Sequence, residues 1–168
     1  ANLQVVSGAG STHADVNGTG NIIIGYDEES YNFTAFAKTG SHNLVVGPHH
    51  AYASYGGIVV GYNNDIIGPY SSVSGGGNNI AMGLSSSVSG GEFNVAEGEG
   101  SSVSGGNFNR AEGASSSVSG GATNTAEGDL SSVSGGQLNT ASGGASSVSG
   151  NLGNTFLSSV IEIAPLFD

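Results

Sequence analysis

The side chains best suited to chemistry are few and close together. His42, His49 and His50, with Tyr52, Tyr55 and Tyr62, form the densest run of imidazole and phenol in 168 residues. Imidazole ligates transition metals, and both ring types pack against flat ligands. His49, His50, Tyr52, Tyr55 and Tyr62 are therefore the candidate ligand-binding residues. Neighbours on an extended chain point opposite ways, so a metal shared by His49 and His50 needs a turn, which Pro48 makes available. The plainer expectation is an insertion loop whose tyrosines cover the end of a narrow core. Glu97, Glu112 and Glu127 recur every fifteen residues, with Met82 and Ser142 at the ends of the column. Clustered carboxylate oxygens suit a hard cation, but a solvated acidic face explains the column as well. No G-x-S-x-G elbow occurs, and Glu28-Glu29 sit in a turn-like run that needs no acid–base role. Asn32-Phe33-Thr34 fits the N-glycosylation pattern, which matters only in a secretory setting. A protein without catalytic residues, metal or cofactor is expected.

Composition narrows the partners. Thirteen acids against Lys38 and Arg110 give a net charge of -11. Phosphate backbones are bound through Lys and Arg, so no nucleic-acid partner is expected. Anionic membrane surfaces repel the same charge, and no apolar run of 18 residues argues for direct membrane insertion. Zero Cys excludes disulfides and thiolate metal sites.

What must position these side chains is a repeat. Val73, Val88, Val103, Val118, Val133 and Val148 stand fifteen apart, each inside Ser-Ser-Val-Ser-Gly. Asn79, Asn94, Asn109, Asn124 and Asn139 keep the same period, as do Ala81, Ala96, Ala111, Ala126 and Ala141. Gly83 and its copies follow, giving the unit S-S-V-S-G-G-x-x-N-x-A-x-G-x-x. A worn version runs upstream through Val5-Val6, Ile23-Ile24, Val45-Val46 and Val59-Val60, with insertions near Asp27 to Phe36. Fifteen residues are too few for a helical repeat or a propeller blade and suit one coil of a β-solenoid. Ser-Val-Ser and Asn-x-Ala alternate as strands do, with Val and Ala turned inward. Gly75-Gly76 and Gly83 supply turn positions with positive φ. The Asn column is expected to form a ladder of amides.

The predicted fold is all-β, a parallel β-solenoid (β-roll) of about ten coils of 14–15 residues, about 48 Å long at strand spacing. Residues 1–70 are degenerate coils with turn insertions, 71–154 are regular coils, and 155–168 are an apolar C-terminal cap or connection. One Val and one Ala per coil make a thin core, so a second buried face is expected, and three parallel rods in a homotrimer provide one.

The motif S-S-V-S-G-G-x-x-N-x-A-x-G resembles the head repeat of trimeric autotransporter adhesins, the YadA-like left-handed parallel β-roll, whose unit reads roughly S-V-A-I-G-x-x-S-x-A-x-G. Ser72, Val73, Gly76, Asn79, Ala81, Gly83 and their copies carry the resemblance, over roughly residues 41–154 and more weakly before. It implies a non-enzymatic adhesive head or tip of a trimeric surface fibre, extracellular, on a cell surface or fibre tip. The partner so implied is a surface glycan or protein of a host, prey or matrix. Two alternatives stand beside it. One is an ice-binding β-solenoid presenting the Ser72 column. The other is a phage tail-fibre or spike module that binds a receptor or cleaves a polysaccharide.

Overall fold

The computed structural model describes residues 1–31, 38–150 and 152–156. Its strands begin with β1 (Ile22–Ile24), β2 (Leu44–Val46), β3 (Ala51–Tyr52), β4 (Ile58–Val60) and β5 (Asp65–Ile66). The regular array follows with β6 (Ser72–Val73), β7 (Ile80–Ala81), β8 (Ser87–Val88), β9 (Val95–Ala96), β10 (Ser102–Val103) and β11 (Arg110–Ala111). It ends with β12 (Ser117–Val118), β13 (Thr125–Ala126), β14 (Ser132–Val133), β15 (Thr140–Ala141), β16 (Ser147–Val148) and β17 (Thr155–Phe156).

The strands alternate between two parallel sheets. The first has nine strands, β1, β2, β4 and then every even strand to β16; the second has the eight odd strands from β3 to β17. Every regular pairing joins residues fifteen apart, as in Val103↔Val118 and Ala111↔Ala126. The result is an all-β parallel β-solenoid of about seven turns, with no helix among the described residues. Nine of the ten apolar markers lie in first-sheet strands, whereas Val5-Val6 lies in none and is exposed. At the other end the register continues further than the repeat suggested, because β17 pairs Thr155 with Thr140. Residues 157–168, which hold most of the expected apolar cap, lie outside the described residues, as does Asn32-Phe33-Thr34.

The core is a double file. The Val45, Val59 and Val73 to Val148 column from the first sheet is buried, and it faces Tyr52, Ile66 and then Ala81 to Ala141 from the second. Two residues per coil leave little apolar area to bury, so cohesion between coils rests heavily on hydrogen bonds.

The Asn column supplies many of them, in a form the sequence did not specify. The Asn94 backbone N–H donates to Asn79 Oδ1 at 2.9 Å, and Asn94 Oδ1 accepts the Asn109 backbone N–H at 3.0 Å. Asn94 Nδ2 donates to Gly90 O in its own coil and to Gly106 O in the next, both at 3.0 Å. Side chain binds backbone at every step; direct amide–amide bonds join only some copies, such as Asn139 Nδ2 to Asn124 Oδ1 at 3.1 Å.

The glycines divide by cause. Gly76 has φ 76° and also faces Gly91 O so closely that a Cβ would sit 2.1 Å from it. Gly83, expected at a left-handed turn, has no positive φ; its Cβ would lie 2.1 Å from Gly98 O. Space, not dihedral freedom, demands glycine there. The left-handed turn positions fall instead on Asn78, Phe93, Phe108, Thr123 and Leu138, and on Ser85, Ser115, Leu130 and Ala145.

Candidate functional site

The imidazole and phenol run does not form one patch. Its members divide between the interior and two surface clusters.

His50 is 1% exposed and occupies the Asn column one coil below Asn64. Its Nδ1 accepts the Asn64 backbone N–H at 3.1 Å, and its Nε2 lies 3.0 Å from Val46 O. Asn64 repeats both bonds one coil on: Oδ1 accepts the Asn79 N–H at 2.8 Å and Nδ2 donates to Val60 O at 2.8 Å. The neutral imidazole with its proton on Nε2 thus stands in for an amide, donor for donor and acceptor for acceptor. Desolvation by burial lowers the His50 pKa below its ordinary value of 6.5, outweighing the backbone carbonyls that favour the charged form. His50 is therefore a ladder residue, not a ligand-binding one.

Tyr52 is also interior, 2% exposed, and its hydroxyl donates to Asp27 Oδ2 at 3.1 Å. Burial, and then the Asp27 carboxylate, push its phenol above the usual range and keep it a donor. Lys38 Nζ meets Asp27 Oδ1 at 3.2 Å, so Asp27 fastens the insertion to the second sheet. Tyr52 lies on β3 within the core, with Val45, Val59 and Ile66, and not on an insertion loop.

The remaining members are accessible. His49 follows Pro48 in a left-handed conformation, φ 64°, which turns its ring outward while His50 turns inward. Its ring stacks on Tyr31 with centroids 3.9 Å apart and meets the edge of Tyr62 at 5.5 Å. Its Nδ1 lies 2.7 Å from Glu29 O. Tyr31 and Tyr62 are 59% and 46% exposed, so the trio presents aromatic surface to solvent. Tyr55 belongs to a second trio. It meets Tyr70 edge-on at 5.3 Å and His13 at 5.7 Å, and the Tyr70 hydroxyl hydrogen-bonds His13 Nε2. Tyr31, His13 and Tyr70 were not singled out from sequence. Tyr55 and Tyr70 are one repeat apart, a signal that predicts their contact; nothing in the repeat foretells Tyr31 or His13.

His42 lies at the rod's N-terminal end, where two adjoining clefts of about 420 and 350 Å³ share it with Val5. Its Nε2 accepts the Ser7 N–H at 3.1 Å.

The acidic column is not a free carboxylate ladder. Arg110, on the outer face of the second sheet, places Nε 3.0 Å from Glu97 Oε2 and 3.0 Å from Glu112 Oε1. The hydrogen bond to Glu97 in particular raises the Arg110 pKa. Two of the three carboxylates thus have a cation of the chain's own. Among the described residues no group of three His, Asp or Glu side chains is placed to hold a metal ion. Phe93 and Phe108 stack at 4.8 Å, 6° from parallel. Each covers one face of the other, and the rings stay 42% and 56% exposed, so the regular coils also show some aromatic surface.

No protein-family model and no curated protein sequence matches the chain.

Proposed function

We propose that this chain is a non-enzymatic adhesive head or tip of a trimeric surface fibre, displayed outside the cell, that binds a glycan or protein surface. The observation that supports the reading most directly is the placement of exposed aromatic side chains. Tyr31, His49 and Tyr62, and separately His13, Tyr55 and Tyr70, gather on the irregular coils, while in the regular array the exposed aromatic rings are the stacked Phe93 and Phe108. A repetitive shaft with recognition groups at one end suits display, and clustered Tyr is the surface chemistry that binding sites favour. The thin core supports association of rods for the reason given by composition: little apolar area is buried within one copy.

Binding to a panel of immobilised glycans and matrix proteins tests the reading, with Tyr31→Ala and Tyr62→Ala as probes. Capture that drops at least tenfold in the double variant is expected. Capture unchanged by it, or no capture beside a light-scattering mass equal to one 16.4 kDa chain, overturns the reading.

One observation favours an ice-binding alternative. The Ser72 and Ser74 columns line up serine hydroxyls along the first sheet, repeated at strand spacing. Thermal hysteresis in solution would select it, and its absence would remove it.

A further inference from the structure

The outer surface of the first sheet carries no formal charge along its whole length. Its two outward columns begin with Ile22, Leu44 and Ile58 on one side and Ile24, Val46 and Val60 on the other, and continue as serine in every regular coil. Ile22, Ile24 and Ile58 are 44%, 59% and 44% exposed. Glu97, Glu112, Glu127 and Arg110 belong to the second sheet or its rim.

We propose that this face is where copies of the chain meet, side by side and parallel, with aliphatic end against aliphatic end. The inference rests on the multi-chain reading above and adds the surface and the orientation. Charge selects the face: copies that each carry -11 repel wherever carboxylates oppose, and only a neutral surface escapes that cost. A cationic or anionic partner has no group here to recognise. Self-complementarity selects the partner. A serine hydroxyl both donates and accepts, so a serine column satisfies its own copy. The capacity is visible within one chain, where Ser132 Oγ donates to Ser147 Oγ at 3.1 Å. The unequal ends select the orientation. Parallel rods bury the six aliphatic side chains against each other, whereas antiparallel rods set them against hydroxyls.

The chain has no cysteine, so single substitutions report cleanly. Ile24→Cys and Ser149→Cys stand at opposite ends of the face. After mild oxidation each variant alone is expected to form a covalent pair, and a mixture is expected to give no 24–149 link. Ile58→Lys is expected to weaken association at least tenfold with an unchanged β circular-dichroism spectrum. A 24–149 link alone means antiparallel rods and overturns the inference. A multimer that neither cross-links nor responds to Ile58→Lys uses another face; that also overturns it and leaves the multi-chain reading standing. A wild-type chain of one-copy mass removes both.

Discussion

The coils from Ser71 onward and the coils between Ile22 and Ile67 run the same two ladders with different residues. In the regular array the ladder, core and outer columns are filled by copies: Asn below Asn, Val below Val, serine outside. In the irregular coils His50 takes the Asn position, Tyr52 and Ile66 the Ala position, and Leu44, Val46, Ile58 and Val60 the outer serine positions. The backbone register passes through the change without a break. The ladder therefore demands a geometry of donors, acceptors and volumes, and residue identity matters only as far as it supplies that geometry.

The largest effect that sharpens this contrast is expected at a glycine of the array. A Cβ on residue 98 would stand 2.1 Å from Gly113 O, with only backbone of the next coil against it and nothing flexible to yield. Gly98→Ala is expected to cost more than about 4 kcal/mol in denaturant titration. Gly8→Ala, at φ 79° with no atom within 4 Å of its Cβ, is expected to cost only about 1 kcal/mol. Equal costs would mean the coils are free to separate.

Next comes the ladder itself. Asn94→Ala strands the Asn109 N–H and withdraws a donor from the Gly90 and Gly106 carbonyls, and is expected to cost about 3 kcal/mol. His50→Asn places the regular residue in the irregular coil and is expected to stay within about 1 kcal/mol of wild type at pH 7. A large loss on His50→Asn would break the equivalence of imidazole and amide.

Acid separates the two regions more gently. Because the folded pKa of His50 lies below 6.5, the unfolded chain takes up a proton that the folded chain refuses. The stability from this group is present above pH 6.5 and falls as pH drops below that value toward the folded pKa. The midpoint of urea unfolding is expected to fall between pH 7 and pH 5 in wild type, and by less in His50→Asn. Identical pH dependence would show that Nδ1 is not an obligatory acceptor.

The smallest effect is expected inside the array. Ser86, Ser101, Ser116, Ser131 and Ser146 bury their hydroxyls without a partner, whereas Ser71 Oγ donates to Gly68 O at 2.7 Å. Ser101→Ala is expected to be neutral or to stabilise by up to about 1 kcal/mol, since an unsatisfied hydroxyl leaves the interior. Ser71→Ala is expected to destabilise by about as much.

Much of this was readable from the residues, and the limits are instructive. The period, the inward Val and Ala columns and the structural Asn column follow from identity repeated at fixed spacing, which register in a parallel ladder requires. The cause of Gly83 is hidden in the residues, since a turn glycine and a contact glycine look alike in one dimension. His49 and His50 are adjacent in the chain, yet the left-handed conformation of His49 sends their rings to opposite sides. The trios around Tyr31 and His13 depend on how two non-repeating segments lie across the coils, and no spacing rule encodes that.

The Asn ladder and the strand pairings share one direction: nearly every bond between coils points along the rod. A pull on the two ends therefore puts the same force on every coil boundary, and the weakest boundary yields first. As a mechanical element the chain extends by opening coils, and each coil that opens lengthens it and takes up energy.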